Sequence, residues 1–489
     1  MTNPISRNVT RALAVFDVPG AAVAVVKDDA LVFAAGFGTK DLGGSAQVDE
    51  HSLFAAGSIS KSITATCLAI LVGEGKLGWD DRVTDYLPGF QLSDPIATRL
   101  LTVRDLLAHR SGLRDVSGGT IWYGAHYDRA EVIRRLRFLR PVAGFRERYA
   151  YQNVMYLVAG ELIPALTGKT WDAFARDRLF DPLGMPDSNT SMPELRANVN
   201  VAMPHARIDD VPRPVPYRDH DNVGPAASLN TSAVDLAQYL RLYLGGGTYA
   251  GQTLVAPAPF AELIRAQTVV PIDPYPDELS ALTPNFQAYA LGWSLRDYRG
   301  RRVVVHTGGV DGMRAIAAMV PDERLGVVVL ANQEEPLPTA ICYGILDDYL
   351  GGPRVDWIGA FQARRATLRA QQRAARDTVV AARVRGTAPA LPLEGYAGRY
   401  RDAAAGDAHV ALEEGRLVLR FDHASCFSAE LEHWHFDTFR ANWRDPYVPP
   451  GLVTFPLSSK AVVTEMRFDQ PNLLDVDFGE LDYKRAAAA

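Results

Sequence analysis

Near the start of the chain, the apolar runs Ala21 to Val26 and Ala30 to Phe37 flank the polar triplet Lys27-Asp28-Asp29. Two strand-length apolar runs around so short a polar break predict a β-hairpin. From Ser58 to about Leu244 the pattern is mainly helical, interrupted by loops rich in Pro, Gly and Asp. It predicts helices over Ser62 to Glu74, Val103 to Ala108, Asn153 to Leu166 and Ser232 to Leu244. Strand patterns return at Val303 to His306 and in the pair "RAIAAMV" and "LGVVVLAN", around the turn Pro321-Asp322-Glu323-Arg324. Strands at both ends with helices between predict one antiparallel sheet drawn from both ends of this region. The helices then form a separate layer or lobe, with a cleft at the join.

Past Asp356 the pattern changes to "DWIGAFQARRATLRAQQRAARDTVVAARVR", rich in alanine and arginine and free of Pro and Gly after Gly359. This predicts a long basic helix, read as a solvated linker rather than a dock for an acidic partner. Pro389 and Pro392 open the last segment, where "HVALEEGRLVLRF", "HWHFDTFRA", "AVVTEMRF" and "LLDVDF" alternate in short runs. Such runs predict a small all-β barrel or sandwich. The expected organisation is a mixed helix-and-sheet domain over residues 1–355, a linker helix over 356–389 and a β-barrel over 390–489.

Composition narrows this picture only slightly. The 489 residues are 47% hydrophobic and 22% charged, enough to bury a large core. A net charge of -6 and a pI near 6.0 give no reason to expect a nucleic-acid or anionic-membrane partner. Cys67, Cys342 and Cys426 are odd in number and far apart, so they read as small buried hydrophobes rather than a disulfide framework or zinc cluster. The opening residues lack an export signal and no apolar run can span a bilayer, so the chain reads as soluble and cytoplasmic.

The chemistry begins at Ser58. It follows Gly57 and precedes an apolar run, which places it at or near a helix N-terminus, with Lys61 one turn up on the same face. A serine hydroxyl is a weak nucleophile, and lysine becomes its base only when burial or nearby positive charge lowers its proton affinity. The helix start adds free N–H groups beside any developing oxyanion. Taken alone, the pattern describes a capped helix with a surface lysine. A second group, Tyr151-Gln152-Asn153, offers a phenol and an amide just before another helix. A third, His306-Thr307-Gly308-Gly309, ends the strand "RRVVV", where two glycines let backbone N–H groups approach a bound group closely.

In this order and spacing the three groups resemble the serine β-lactamase and penicillin-binding-protein superfamily. The nearest branch looks like the class C β-lactamases with their peptidase and esterase relatives, D-aminopeptidases among them. "LLAHRSGL" (Leu106 to Leu113), "LFDPLGM" (Leu179 to Met185) and "LGWSL" (Leu291 to Leu295) fit as well, and the resemblance spans residues 5 to 350. It implies an α/β (α+β) fold, an antiparallel sheet flanked by helices with an all-helical lobe. Carried onto this sequence, Ser58 is the acylated nucleophile, and Lys61 and Tyr151 share the proton transfers. Asn153 holds Lys61 and the substrate; His306, Gly308 and Gly309 belong to the substrate-binding set. The N–H groups of Ser58 and Gly309 form the oxyanion hole. The C-terminal barrel is similar to the lipocalin-like domains appended to some serine peptidases of the family, which cap the cleft or support oligomers.

One departure carries weight. β-Lactamases of this branch usually have lysine where this chain has His306, and a neutral histidine holds a carboxylate less firmly. The expected function is therefore a metal-independent serine hydrolase without cofactors, acting through an acyl-enzyme on small peptides, amides or esters. A β-lactamase or D,D-carboxypeptidase is the alternative, and a catalytically silent binding protein the second. The expected partner is a small-molecule or short-peptide substrate, with neither nucleic acid nor membrane; a homo-oligomer stays open. His433 and His435, with Asp437, share a strand face that could ligate a metal, but no third strong ligand is near and a surface strand is the reading. His109 reads as a structural hydrogen-bonder. Neither a Gly-x-Ser-x-Gly elbow nor a His-Glu-x-x-His helix is present.

Overall fold

In the computed structural model, which describes residues 3–487, the predicted hairpin is β1 (Gly20–Lys27) and β2 (Ala30–Gly38), with Ala24 opposite Ala34. Asp28 and Asp29 take left-handed backbone, at φ 51° and 65°. A two-residue turn matched to strand twist needs that conformation, and Asp tolerates it better than most residues. Six strands complete the sheet: β3 (Thr268–Val269), β4 (Gln287–Tyr289), β5 (Ser294–Tyr298), β6 (Arg301–Val310), β7 (Met313–Val320) and β8 (Leu325–Ala331). The order is β2-β1-β8-β7-β6-β5-β4-β3, antiparallel throughout. The N-terminal hairpin thus joins the later strands through β1 against β8.

Six helices frame the sheet: α1 (Pro4–Phe16), α2 (Ser60–Gly73), α3 (Asn153–Thr167), α4 (Ala233–Leu244), α5 (Leu337–Leu350) and α6 (Trp357–Ala381). Side chains alternate across a strand, so β1 serves two cores. Ala21, Val23 and Val25 join α1, α5 and the first turn of α6, whereas Ala22, Ala24 and Val26 join the lobe containing α2, α3 and α4. A strand covered on both faces reads as an unbroken apolar run. Helix α2 is buried from Ser60 to Leu71 because it runs through the middle of the lobe.

Strand β6 differs from expectation. It continues through His306-Thr307-Gly308-Gly309 to Val310 instead of ending there, with Gly309 opposite Arg314 of β7. The glycines serve close packing, not a turn. A Cβ on Gly308 would collide with the Ala56 carbonyl oxygen, and one on Gly57 would lie 2.8 Å from Gly309 N. The short strand Phe54–Gly57, which leads to Ser58, therefore presses directly on β6.

The linker helix α6 is buried only at Trp357, Ile358 and Phe361. It is tied at both ends, however: Arg365 and Arg369 pair with the buried Glu335, and Arg383 donates to the carbonyls of Trp434 and His433. Beyond it, β9 (Gly398–Asp402), β10 (Gly406–Glu413), β11 (Arg416–Phe421), β12 (Ala424–His435), β13 (Thr438–Trp443), β14 (Gly451–Thr454), β15 (Glu465–Asp469) and β16 (Tyr483–Arg485) close into a barrel. Buried rings of Tyr400, Phe421, Phe427, Phe455 and Tyr483 pack its core, the usual content of so narrow a barrel. His433 Nε2 meets Phe436 O within the barrel hairpin, and His435 Nδ1 accepts from Val384 N–H, so the His435 imidazole helps seat the linker.

The run "LLDVDF" is not a strand. Leu473 and Val476 bridge across a turn whose tip is Leu474-Asp475. Its alternation positions a tip that leaves the barrel, a local use of period two that pattern alone cannot distinguish from a strand.

Trp357 anchors α6 by donating from Nε1 to Asp347 at 2.9 Å and packing against Tyr343 and Phe361. Trp357→Ala is expected to destabilise the first unfolding transition by about 3–5 kcal/mol in a urea titration. A change below about 1 kcal/mol would show that the linker does not depend on this anchor.

Candidate active site

Gly57, at φ 52°, turns the chain from the short strand into α2, and Ser58 occupies that turn. Lys61 lies one turn on, fully buried, with Nζ 3.0 Å from Ser58 Oγ, 2.6 Å from Asn153 Oδ1 and 3.0 Å from Ala226 O. Burial pulls the Lys61 amine down to about 7, against a smaller upward pull from the Asp475 charge. The three contacts suit the neutral amine. The amide and backbone oxygens only accept, so they take its two hydrogens, and the lone pair is left facing the Ser58 hydroxyl. Ser60 is excluded as nucleophile by its own bonds, donating to Gly57 O at 2.6 Å and accepting from Leu229 N–H at 2.9 Å.

Tyr151 lies beside this pair, its ring centroid 4.5 Å from Lys61 Nζ. Burial, reinforced by Asp475, pushes its phenol well above the ordinary range, while Ser58 pulls it down less strongly. It therefore keeps its proton at neutral pH. Gln152 donates its backbone N–H to His109 Nδ1, and the His109 ring lies against Tyr151, Tyr156 and Tyr289. His109 thus packs behind the tyrosines. Asn153 opens α3 and reaches Lys61 directly.

His306 is held through both ring nitrogens. Nδ1 donates to Thr307 O at 2.7 Å, leaving Nε2 to accept from the Tyr289 hydroxyl at 2.9 Å. Burial, helped by Lys61, depresses it to about 3, so it is a neutral wall of the site.

These residues meet in a cavity of about 620 Å³ that Ser58, Tyr151, His306, Gly308 and Gly309 line together. A second hollow, about 380 Å³ between α1, α5 and the start of α6, contains none of them. Among the further groups that reach this cavity are Asp115, Tyr289, Arg314, Glu334 and, from the barrel, the Leu474-Asp475 tip. Burial raises the Asp475 carboxyl, against the Lys61 charge and the Asn153 amide. Asp115 is raised for the same reason and repelled further by Asp475. Arg314 is turned to Val310 O and Met313 O, with Glu334 3.7 Å away. Sequence patterns point to none of these five, because nothing within "NLLDVDF" or "GLRDVSG" signals which distant element it will face.

Sheet, helical lobe and a serine–lysine pair in a cleft together define a serine-hydrolase class of fold. The chain belongs to the β-lactamase family, whose model matches residues 5–342, and residues 382–485 match a domain of unknown function, DUF3471. It is 30% identical over 468 residues to the unguisins hydrolase ungD of Aspergillus violaceofuscus, covering 86% of this chain and 81% of that one. It is 32% identical over 326 residues to penicillin-binding protein 4 of Amycolatopsis lactamdurans, covering 64% and 81%. The octameric penicillin-binding protein homologue from Pyrococcus abyssi shares the fold, with a TM-score of 0.63 at 20% identity over 98% of this chain and 99% of that one.

The pH profile follows from Lys61. Its amine accepts a proton only when neutral, and with a pKa of about 7 the neutral fraction shrinks as pH falls below that value. Log kcat/KM for an uncharged ester is expected to fall towards acid with a slope of about one. A flat profile between pH 5 and 8 would remove Lys61 as the base.

Proposed function

We propose that the protein is a metal-independent serine hydrolase that cleaves small amides, esters or short peptides whose acyl residue carries a free amino group. The observation that carries this reading is Asp475, a half-buried carboxylate beside Lys61 and Asn153 in the cavity that contains Ser58. With Lys61 only partly charged at neutral pH, His306 neutral and Arg314 bonded to backbone carbonyls 3.7 Å from Glu334, the acids Asp475 and Asp115 set the sign of the cleft. Such a cavity favours an ammonium group and disfavours the carboxylate of a β-lactam or of a peptide C-terminus.

In the proposed reaction, neutral Lys61 takes the Ser58 proton as Oγ attacks the substrate carbonyl. The oxyanion gathers on the N–H groups of Ser58 and Gly309, each such donor contributing about 10²–10³ in rate. Collapse expels the amine or alcohol, protonated from Lys61 through the Tyr151 phenol. Water then attacks the acyl-enzyme, giving up its proton to the same base and restoring the Ser58 hydroxyl as the acid leaves. The unguisins hydrolase acts on unguisins, and its similarity supports a hydrolytic reaction here. The Pyrococcus homologue is octameric; a homo-oligomer is proposed for this chain too, and light scattering on the purified protein decides it.

Two measurements test the reading. A fluorophosphonate is expected to add its mass at Ser58 in the wild type and not in Ser58→Ala, with or without EDTA; equal labelling of both proteins would sink it, and no labelling of the folded wild type would revive a silent binding protein. Asp475→Asn is expected to lower the preference for free-amine over N-acetylated p-nitroanilides by about 10–100-fold, the loss of one charged hydrogen bond. Matched L- and D-aminoacyl substrates fix the stereochemistry. Turnover of a chromogenic cephalosporin as fast as the best amide would favour the β-lactamase alternative.

A further inference from the structure

The turn between β6 and β7 contains only Asp311 and Gly312, and it begins two residues after Gly309. It is held in a closed ring of polar contacts that passes through the barrel. Asp311 Oδ2 accepts from the Tyr123 hydroxyl and from Arg218 Nε, both at 2.6 Å. Arg218 Nη2 donates to Asp445 Oδ2 of the barrel at 2.7 Å. The other Asp445 oxygen accepts from the Tyr447 N–H at 3.0 Å. The Tyr447 hydroxyl donates at 2.5 Å to Glu334 Oε1, which also accepts from the Gly312 N–H at 2.8 Å. From Asp311 the ring thus passes through Arg218, Asp445, Tyr447 and Glu334 and closes on Gly312.

Its members are largely withdrawn from water: the Arg218, Asp311 and Asp445 side chains are 12%, 6% and 13% exposed. A guanidinium buried between two carboxylates is costly unless its geometry is held, which makes the ring stiff. Gly312, at φ 77°, is further wedged against Pro204 and His205, whose backbone N–H donates to Gly312 O at 3.0 Å. Gly309 itself is pressed by the short strand ahead of Ser58 and covered by Leu474. Nothing in this stretch of β6 has room to drift.

We infer that Asp445 and Tyr447 of the barrel are positioning residues for the oxyanion hole, acting through the Asp311-Gly312 turn on the Gly309 N–H. This rests on the acyl-enzyme reading of Ser58 given above. It makes the C-terminal barrel part of the hydrolase, beyond any role in closing the cleft. An oxyanion donor acts only when already aimed at the charge that develops, and small displacements of such groups are felt strongly in rate. Other contacts join the barrel to the first domain, among them Arg135 to Ala404 O and Glu480 to Ser117. Among the hydrogen bonds of the described residues, the ring is what ties the barrel to the Asp311-Gly312 turn, while Leu474 meets the strand by packing on Gly309.

The test uses the full-length chain with Tyr447→Phe and Asp445→Asn, two near-isosteric changes, and Arg135→Gln as an interdomain control. Each ring variant is expected to lower kcat about tenfold with KM held, and to weaken a boronic-acid analogue of the tetrahedral intermediate by the same factor. The double variant is expected to lose less than the product of the two, since both act on one ring. Arg135→Gln is expected to alter the melting temperature alone. Folded ring variants with wild-type kcat and boronate affinity would overturn the inference, as would a loss equalled by the control. Should Tyr447→Phe not fold, Asp445→Asn carries the same outcomes. Fluorophosphonate labelling of the wild type separates the two readings: its absence removes the acyl-enzyme proposal itself, whereas equal labelling rates of wild type and ring variants remove only the positioning role.

Discussion

An amine held in the dry interior without a bonded carboxylate is the constraint on which the rest of the site depends. Had Lys61 an acidic hydrogen-bond partner, its proton affinity would rise and Ser58 would face a spent base. The fold instead surrounds Nζ with neutral oxygens, Asn153 Oδ1 and Ala226 O. Those acceptors belong to different elements, so helix packing must bring them together. Gly160 lets α3 press on the ring of Pro225, and Thr64 of α2 donates to Pro225 O at 2.6 Å. The residue before the Ala226 acceptor is thus gripped by both helices that carry the proton chemistry. A buried α2 is the direct consequence, since an exposed Lys61 would keep its charge.

Asp475 imposes the opposite demand. On the proposed reading it must remain anionic to attract an ammonium group, yet burial raises its proton affinity, resisted first by the Lys61 charge and then by the Asn153 amide, His220 and Arg314. Base and anchor therefore titrate as a coupled pair: a charged Lys61 favours ionised Asp475, and ionised Asp475 raises Lys61. Burial wins at Lys61 because the two groups interact by charge at a distance and share Asn153 instead of touching. The neutral His306 completes this balance, since a cation at that strand position would depress Lys61 further and compete with substrate for Asp475.

Much of this was legible in the amino-acid order. The hairpin, the four long helices, the antiparallel sheet from both ends and the C-terminal barrel each follow from apolar spacing, because burial imposes the period. Ser58, Lys61, Tyr151, Asn153 and His306 were legible as a set, and the structure brings them together, with Ser58, Tyr151 and His306 lining one cavity and Lys61 and Asn153 buried behind Ser58. Two things were not. Strand β6 runs through its glycines because a neighbouring backbone needs their missing side chains, a contact with residues more than two hundred positions away. The Asp475 tip alternates like a strand, and its role lies in what it enters. Patterns report periodicity along the chain, whereas these features come from approach across it.

The same distinction explains why the barrel and its linker are built as they are. A turn that must place one carboxylate near Lys61 cannot hang on a flexible tether, because the positional freedom of the tether would be lost again on every docking. Helix α6, 25 residues of continuous helix and so about 37 Å long, is a stiff spacer. It is seated at one end on the Trp357 cluster and at the other on the carbonyls of Trp434 and His433. Its arginines close on Glu335, which itself lines the cavity. The spacer is therefore fixed to the rim of the cleft it serves. The barrel returns towards that cleft at two separate points, the Asp475 tip within the cavity and the Asp445–Tyr447 segment behind Glu334, which lines it. Two separate contacts restrain the rotation that one contact would leave free. On the proposed reading, the domain least recognisable from its own residues is thus the one that sets the charge and the rigidity of the site.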